Sequence, residues 1–235
     1  MGFARLKLYA EKKKVILDPV SLICILGAFM FFGLDMFLFL PDIENAEALK
    51  IVLRSSISFT FLVAGLIGMI FSGVHTPKSE KVGGNIDPRL SPAEMGLISM
   101  LFMINMMAIV AINILTRQHS DLWQQSFVNY PQSNFRWAIF STAVGWTEEV
   151  VFRGFMQTTM SRVSGGVVGV LASSFAWVLF HGGVYNLDPT IYLTLFLIGL
   201  VLSITYEISQ YRLSVTMLPH GLNNFLATIQ FGGAK

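Results

Sequence analysis

Residues 137–160 read WAIFSTAVGWTEEVVFRGFMQTTM. The stretch is long and apolar enough to span a bilayer, which takes roughly 20 mostly apolar residues. Yet Glu148, Glu149 and Arg153 stand in its middle. Ionisable groups at mid-membrane cost at least ~2.5–3.5 kcal/mol each and mark cavities, pairs and functional sites. Whether this is a spanning helix decides the fold.

The rest of the chain says that it is. Of 235 residues, 54% are hydrophobic and 13% charged, and the mean hydropathy is +0.63. Soluble domains carry about 25% charged residues. Six further apolar segments accompany the first, at about 18–40, 51–73, 92–116, 166–183, 190–208 and 213–230. Short connections with turn formers join them, such as "SRVSGG" and "NLDP". The expected fold is all-α, a polytopic transmembrane bundle of about seven helices (six to eight), with a conical polar cavity formed by the last four. Residues 1–130 would supply N-terminal membrane helices without a motif and 131–235 a catalytic core, in one integral membrane domain. The first segment is too long for a cleavable signal peptide and lacks a small-residue cleavage site.

Basic residues cluster in the N-terminal arm (Arg5, Lys7, Lys12, Lys13, Lys14) and after the second segment (Lys78, Lys81, Arg89), while the first loop is acidic (Asp42, Glu44, Glu47). The positive-inside rule then predicts a cytoplasmic N-terminus in the cell membrane. These basic residues sit at membrane edges and form no aromatic-interleaved patch, so no nucleic-acid partner is expected. The lone Cys24 allows no internal disulfide, and in "SLICILG" it reads as a small packing residue.

Three polar elements carry the chemistry. Glu149 and Arg153, four apart, share a helix face and can pair, whereas Glu148 is turned away by about 100°. One glutamate is then neutralised and the other is free. The competing reading starts this helix near Trp146 and makes the glutamates an acidic first turn at the surface. The second element is His181, which closes "FAWVLFH" with Trp177 one turn earlier. The third is His220 with Asn224, side by side after Pro219, which either begins its helix or kinks a longer one. Alone, each histidine reads as an interfacial or packing residue. Together the elements offer a carboxylate base, imidazoles and hydrogen-bond donors, the groups needed to add water to an amide.

At these residues the chain resembles the family of CAAX proteases and bacteriocin-processing enzymes, also called the Abi family. Its pattern is Glu-Glu-x-x-x-Arg (Glu148, Glu149, Arg153), aromatic-x-x-x-His (Trp177, His181) and His-x-x-x-Asn (His220, Asn224). The resemblance covers about 137–228. The family usually has Phe where Trp177 stands, so an aromatic packing role is expected to persist. The resemblance implies an intramembrane glutamic endopeptidase. Glu148 would activate water, His181 would hold or share it, and His220 and Asn224 would stabilise the oxyanion. Glu149 and Arg153 would support the helix. The implied partners are the bilayer and a membrane-borne or prenylated peptide substrate.

Other chemistries fit less well. Glu148, His181 and His220 are all possible zinc ligands, but no His-Glu-x-x-His occurs and Asn is a poor ligand, so no cofactor is expected and zinc stands second. A serine mechanism would fall on Ser164, in a connecting loop. An aspartyl mechanism lacks a partner for Asp35, which either faces the interior or caps a helix. The non-enzymatic alternative is a membrane immunity or peptide-binding protein of the same fold. A proton relay or transporter would also use buried Glu and His, but no paired halves are visible. Arg54 and Glu207 lie near segment ends and are expected to reach the interface. Asn105 and Asn113 are expected to link helices.

Overall fold

A computed structural model describes residues 14–75, 92–116, 135–182 and 189–231. Seven helical runs coincide with the seven apolar segments. They are α1 (Pro19–Phe39), α2 (Ala46–Ser72), α3 (Pro92–Thr116), a run made of α4 (Phe135–Glu149), a π-helical stretch (Val150–Gln157) and α5 (Thr158–Ser164), then α6 (Gly166–His181), α7 (Pro189–Ile208) and α8 (Ser214–Phe231). The chain is a polytopic all-α membrane bundle. Four helices, α1, α2, α3 and α7, are long and apolar enough to cross a membrane by themselves. The basic residues behind the expected orientation lie outside the described residues, except Lys14.

The burial pattern is that of a bundle in lipid. Phe37, Phe71 and Leu115 are each at least 77% exposed, while Glu149 and Arg153 are fully buried. Contiguous apolar surface of this kind is rare on soluble monomers.

Local chemistry sets the ends. Asp18 accepts a hydrogen bond from the Ser21 amide at 2.9 Å, an N-cap, and Pro19 follows at the first helical position, where its missing N–H is not needed. Asp18 is also bonded by the Ser214 hydroxyl, which ties the start of α1 to the start of α8. The α5–α6 turn passes through Gly165 at φ +95°, a backbone region that favours glycine. A two-residue parallel pair, β1 (Val15–Ile16) with β2 (Val74–His75), is the one sheet element among the described residues. The all-helical expectation omitted it because two residues carry no readable alternation.

Glycines let helices approach. A Cβ on Gly65 would lie 2.6 Å from Val151 Cγ2, and one on Gly68 2.7 Å from Phe155, so the π-helical stretch lies directly on α2. Small residues serve this purpose in membrane bundles.

Several polar outliers are resolved by partners. Asp35 faces the interior, 2.8 Å from Arg136 Nη2, and accepts from Ser55 at 3.0 Å. Arg54 lies over the Trp137 ring at 5.3 Å. Glu207 does not simply reach outward as expected. It accepts from Ser161 at 3.1 Å and from the Tyr211 hydroxyl, because the turn after α7 folds Tyr211 back onto it.

Asn113 donates to Asn223 at 3.5 Å. Asn105 has a more specific task. Pro219 lies inside α8 and cannot donate to the carbonyl of Val215, four residues earlier. Asn105 Nδ2 donates to that carbonyl at 3.0 Å, while its Oδ1 accepts from Thr205 at 3.0 Å. Asn105→Leu is expected to strand the Val215 carbonyl and lower stability by about 1–3 kcal/mol, read from denaturant unfolding in detergent.

Candidate functional site

The glutamates lie deep in the bundle. Their helix begins at Phe135, more than two turns before Trp146, so they are no exposed first turn. Glu148 is 4% exposed and Glu149 fully buried. α4 ends at Glu149, and the next eight residues form the π-helix. Such widened turns recur at functional sites.

The two carboxylates face different neighbours. Glu149 Oε1 accepts from Arg153 Nη1 at 2.9 Å, as the spacing predicted. It also meets His220 Nδ1 at 2.6 Å, which the sequence did not reveal. Arg153 Nη2 donates to the Gly199 carbonyl at 3.2 Å. Glu148 instead faces α6 and α8. Its Oε2 accepts from Trp177 Nε1 at 2.6 Å. Its Oε1 lies 3.7 Å from His181 Nε2, and Oε2 lies 3.7 Å from His220 Nε2. These separations exceed a hydrogen bond.

Both imidazoles are oriented from behind. His181 Nδ1 is 2.8 Å from the Trp177 carbonyl. That carbonyl can only accept, so Nδ1 carries hydrogen and Nε2 points to Glu148. His220 Nδ1, donating to Glu149, likewise turns its Nε2 towards Glu148. The indole of Trp177 packs edge-to-face on both, with centroids at 4.6 Å and 5.5 Å.

Asn224 lies one turn beyond His220 on α8. Its Nδ2 donates to the Ser141 carbonyl at 3.1 Å, which holds the amide against α4. Space for this contact comes from Gly145, where a Cβ would sit 2.9 Å from Asn224 Nδ2 and 3.3 Å from His220 Cδ2. The structure thus gathers Glu148, Glu149, Arg153, Trp177, His181 and His220 into one cluster and sets Asn224 beside it. Gly145 and Gly199 belong to this geometry too. The many glycines suggested close approach, but no signal distinguished these two.

Gly145→Ala is expected to displace the His220–Asn224 pair, read as shifted His220 imidazole resonances with unchanged helix content by circular dichroism. Unshifted resonances would show that this contact is slack.

Beside the cluster lies an apolar cavity of about 510 Å³ between α3, α4 and α8, bordered by Phe102, Met103, Trp146, Leu218, Gly221 and Phe225, among others. Among the described residues, no group of three or more His, Cys, Asp and Glu is placed to hold a metal ion.

Fold and cluster together define a multi-pass membrane protein with a buried carboxylate–imidazole centre. Residues 131–226 match the family model for Rce1-like proteins, described as type II CAAX prenyl endopeptidase Rce1-like, which agrees with the CAAX-protease resemblance of the three motifs. The match contains every residue of the cluster and none of α1–α3. No curated protein matches the chain, and no solved structure matches it.

Proposed function

We propose that the protein is an intramembrane glutamic endopeptidase that hydrolyses a peptide bond of a membrane-associated or lipidated substrate. The observation that carries this reading is the convergence of His181 Nε2 and His220 Nε2 on Glu148, each at 3.7 Å. A water seated beside this pair, off the line joining Glu148 Oε1 and His181 Nε2, can donate one hydrogen towards each and direct its lone pair outward. Glu148 takes a proton as the water adds to the scissile carbonyl and returns it to the departing amine.

His220 and Asn224 face the developing oxyanion. For this His220 must carry hydrogen on Nε2 as well as Nδ1. Glu149, 2.6 Å from Nδ1, holds the ring so that Nε2 faces the site, as a buried carboxylate orients a catalytic histidine. Asn224 has a second amide hydrogen besides the one given to Ser141. The apolar cavity offers room for a lipid chain or apolar side chains next to the scissile bond. The proposal needs no metal. The same residues, Glu148, His181 and His220, would be the ligands of the zinc alternative, which the chelator test separates from this reading.

We infer a cytoplasmic N-terminus from the basic residues of the first arm and second loop in the sequence. Cysteine-accessibility labelling at Lys12 and at Glu44 would check this, with labelling of the Glu44 position from outside expected.

The function is tested with purified protein in lipid vesicles and peptides ending in a prenylated cysteine motif, with unprenylated controls. Cleavage is expected on the carboxyl side of the modified cysteine, with a bell-shaped pH–rate profile. Intact peptides of both kinds would count against the endopeptidase.

A further inference from the structure

The indole of Trp177 meets Glu148, Arg153 and both imidazoles of the cluster. It is 2% exposed, Arg153 Cζ lies 5.3 Å from its ring centre, and both imidazoles pack against it. All these contacts need only an aromatic ring. The bond from Nε1 to Glu148 Oε2 at 2.6 Å needs an N–H, which phenylalanine lacks.

The terminal torsion of a glutamate is soft and nearly two-fold. Unanchored, the Glu148 carboxylate would exchange its oxygens between the two imidazoles, since both stand beyond hydrogen-bond length. The indole fixes Oε2 on the His220 side and leaves Oε1 facing His181. α7 makes room for the larger ring. A Cβ on Gly199 would lie 3.1 Å from Trp177 Cε3 and 3.5 Å from Ser174 Cβ, so any side chain there presses on the indole.

We propose that Trp177 is a positioning residue: its indole N–H anchors Glu148 Oε2, so that Oε1 alone serves as the base, and Gly199 is the space that permits it. The inference rests on the endopeptidase reading for its consequence, but the anchoring contact can be seen without any substrate.

Two measurements test it. Benzothienylalanine at position 177 keeps the shape of tryptophan and replaces N–H by sulfur. Its kcat is expected to fall about 10- to 100-fold, the range of a lost hydrogen bond to a charged group, with KM unchanged. Full kcat would overturn the proposal and reduce Trp177 to packing. In parallel, protein labelled with indole-¹⁵N tryptophan in micelles gives an N–H resonance for Trp177, assigned by its loss in Trp177→Phe. Glu148→Gln and Gly199→Ala should each move it upfield. A resonance indifferent to Glu148→Gln would remove the anchor and the proposal with it. A resonance that moves in a protein that cleaves no prenylated or plain peptide would uphold the anchor and refute the endopeptidase reading.

Discussion

Glu148→Gln is expected to abolish measurable turnover while leaving the protein folded. The substitution keeps size and retains an oxygen able to accept from Trp177, so the contact persists as a longer, weaker hydrogen bond to a neutral acceptor. What disappears is the proposed base. Positioned general acid–base catalysis contributes about 10²–10⁴-fold, and in the proposed mechanism one carboxylate acts on both the attacking water and the leaving amine, so the upper part of that range applies. Glu148→Ala is the poorer test, because it also strips Trp177 of its acceptor and opens a cavity. Turnover within ten-fold of wild type in Glu148→Gln would remove Glu148 from the chemistry.

Arg153→Met carries the largest expected stability effect. Arg153 and Glu149 are both fully buried. Removing the guanidinium leaves a carboxylate without its cation and a Gly199 carbonyl without its donor. Breaking a buried pair from one side costs about 3–5 kcal/mol, which is a large share of a typical folding free energy. The double variant Glu149→Gln/Arg153→Met should recover part of that stability, since no charge then stays buried alone. It should not recover activity, because Glu149 also orients His220. Denaturant unfolding in detergent and peptide cleavage on the same preparations separate the two roles. Parallel recovery of both would mean that Glu149 serves the fold alone.

The sequence was most informative where the relevant geometry lies within one helix. The Glu149–Arg153 pair follows from a spacing of four, and so does the adjacency of Trp177 to His181. The apolar lengths marked all seven helical runs. Contacts between helices were harder to see, because rotation about each axis is set by packing and not by periodicity. Asn105 was legible as a helix link, but its partner, the carbonyl freed by Pro219, is 110 residues away. The bond from Trp177 to Glu148 looked like packing for the same reason. The π-helix left no trace in a pattern that is apolar on every side. Glu207 seemed to be a residue near a helix end, and the turn that brings Tyr211 back to it has no apolar period to announce it.

Arg153 neutralises Glu149, Glu149 holds His220, and Glu148 is left facing two imidazoles. The most direct test of that account is cleavage of a prenylated peptide by wild type, Glu148→Gln and His220→Ala, each with and without a zinc chelator. The account predicts cleavage by the wild type alone, indifferent to the chelator. Loss of wild-type cleavage on chelation, restored by added zinc, would contradict it and make Glu148, His181 and His220 ligands of a metal.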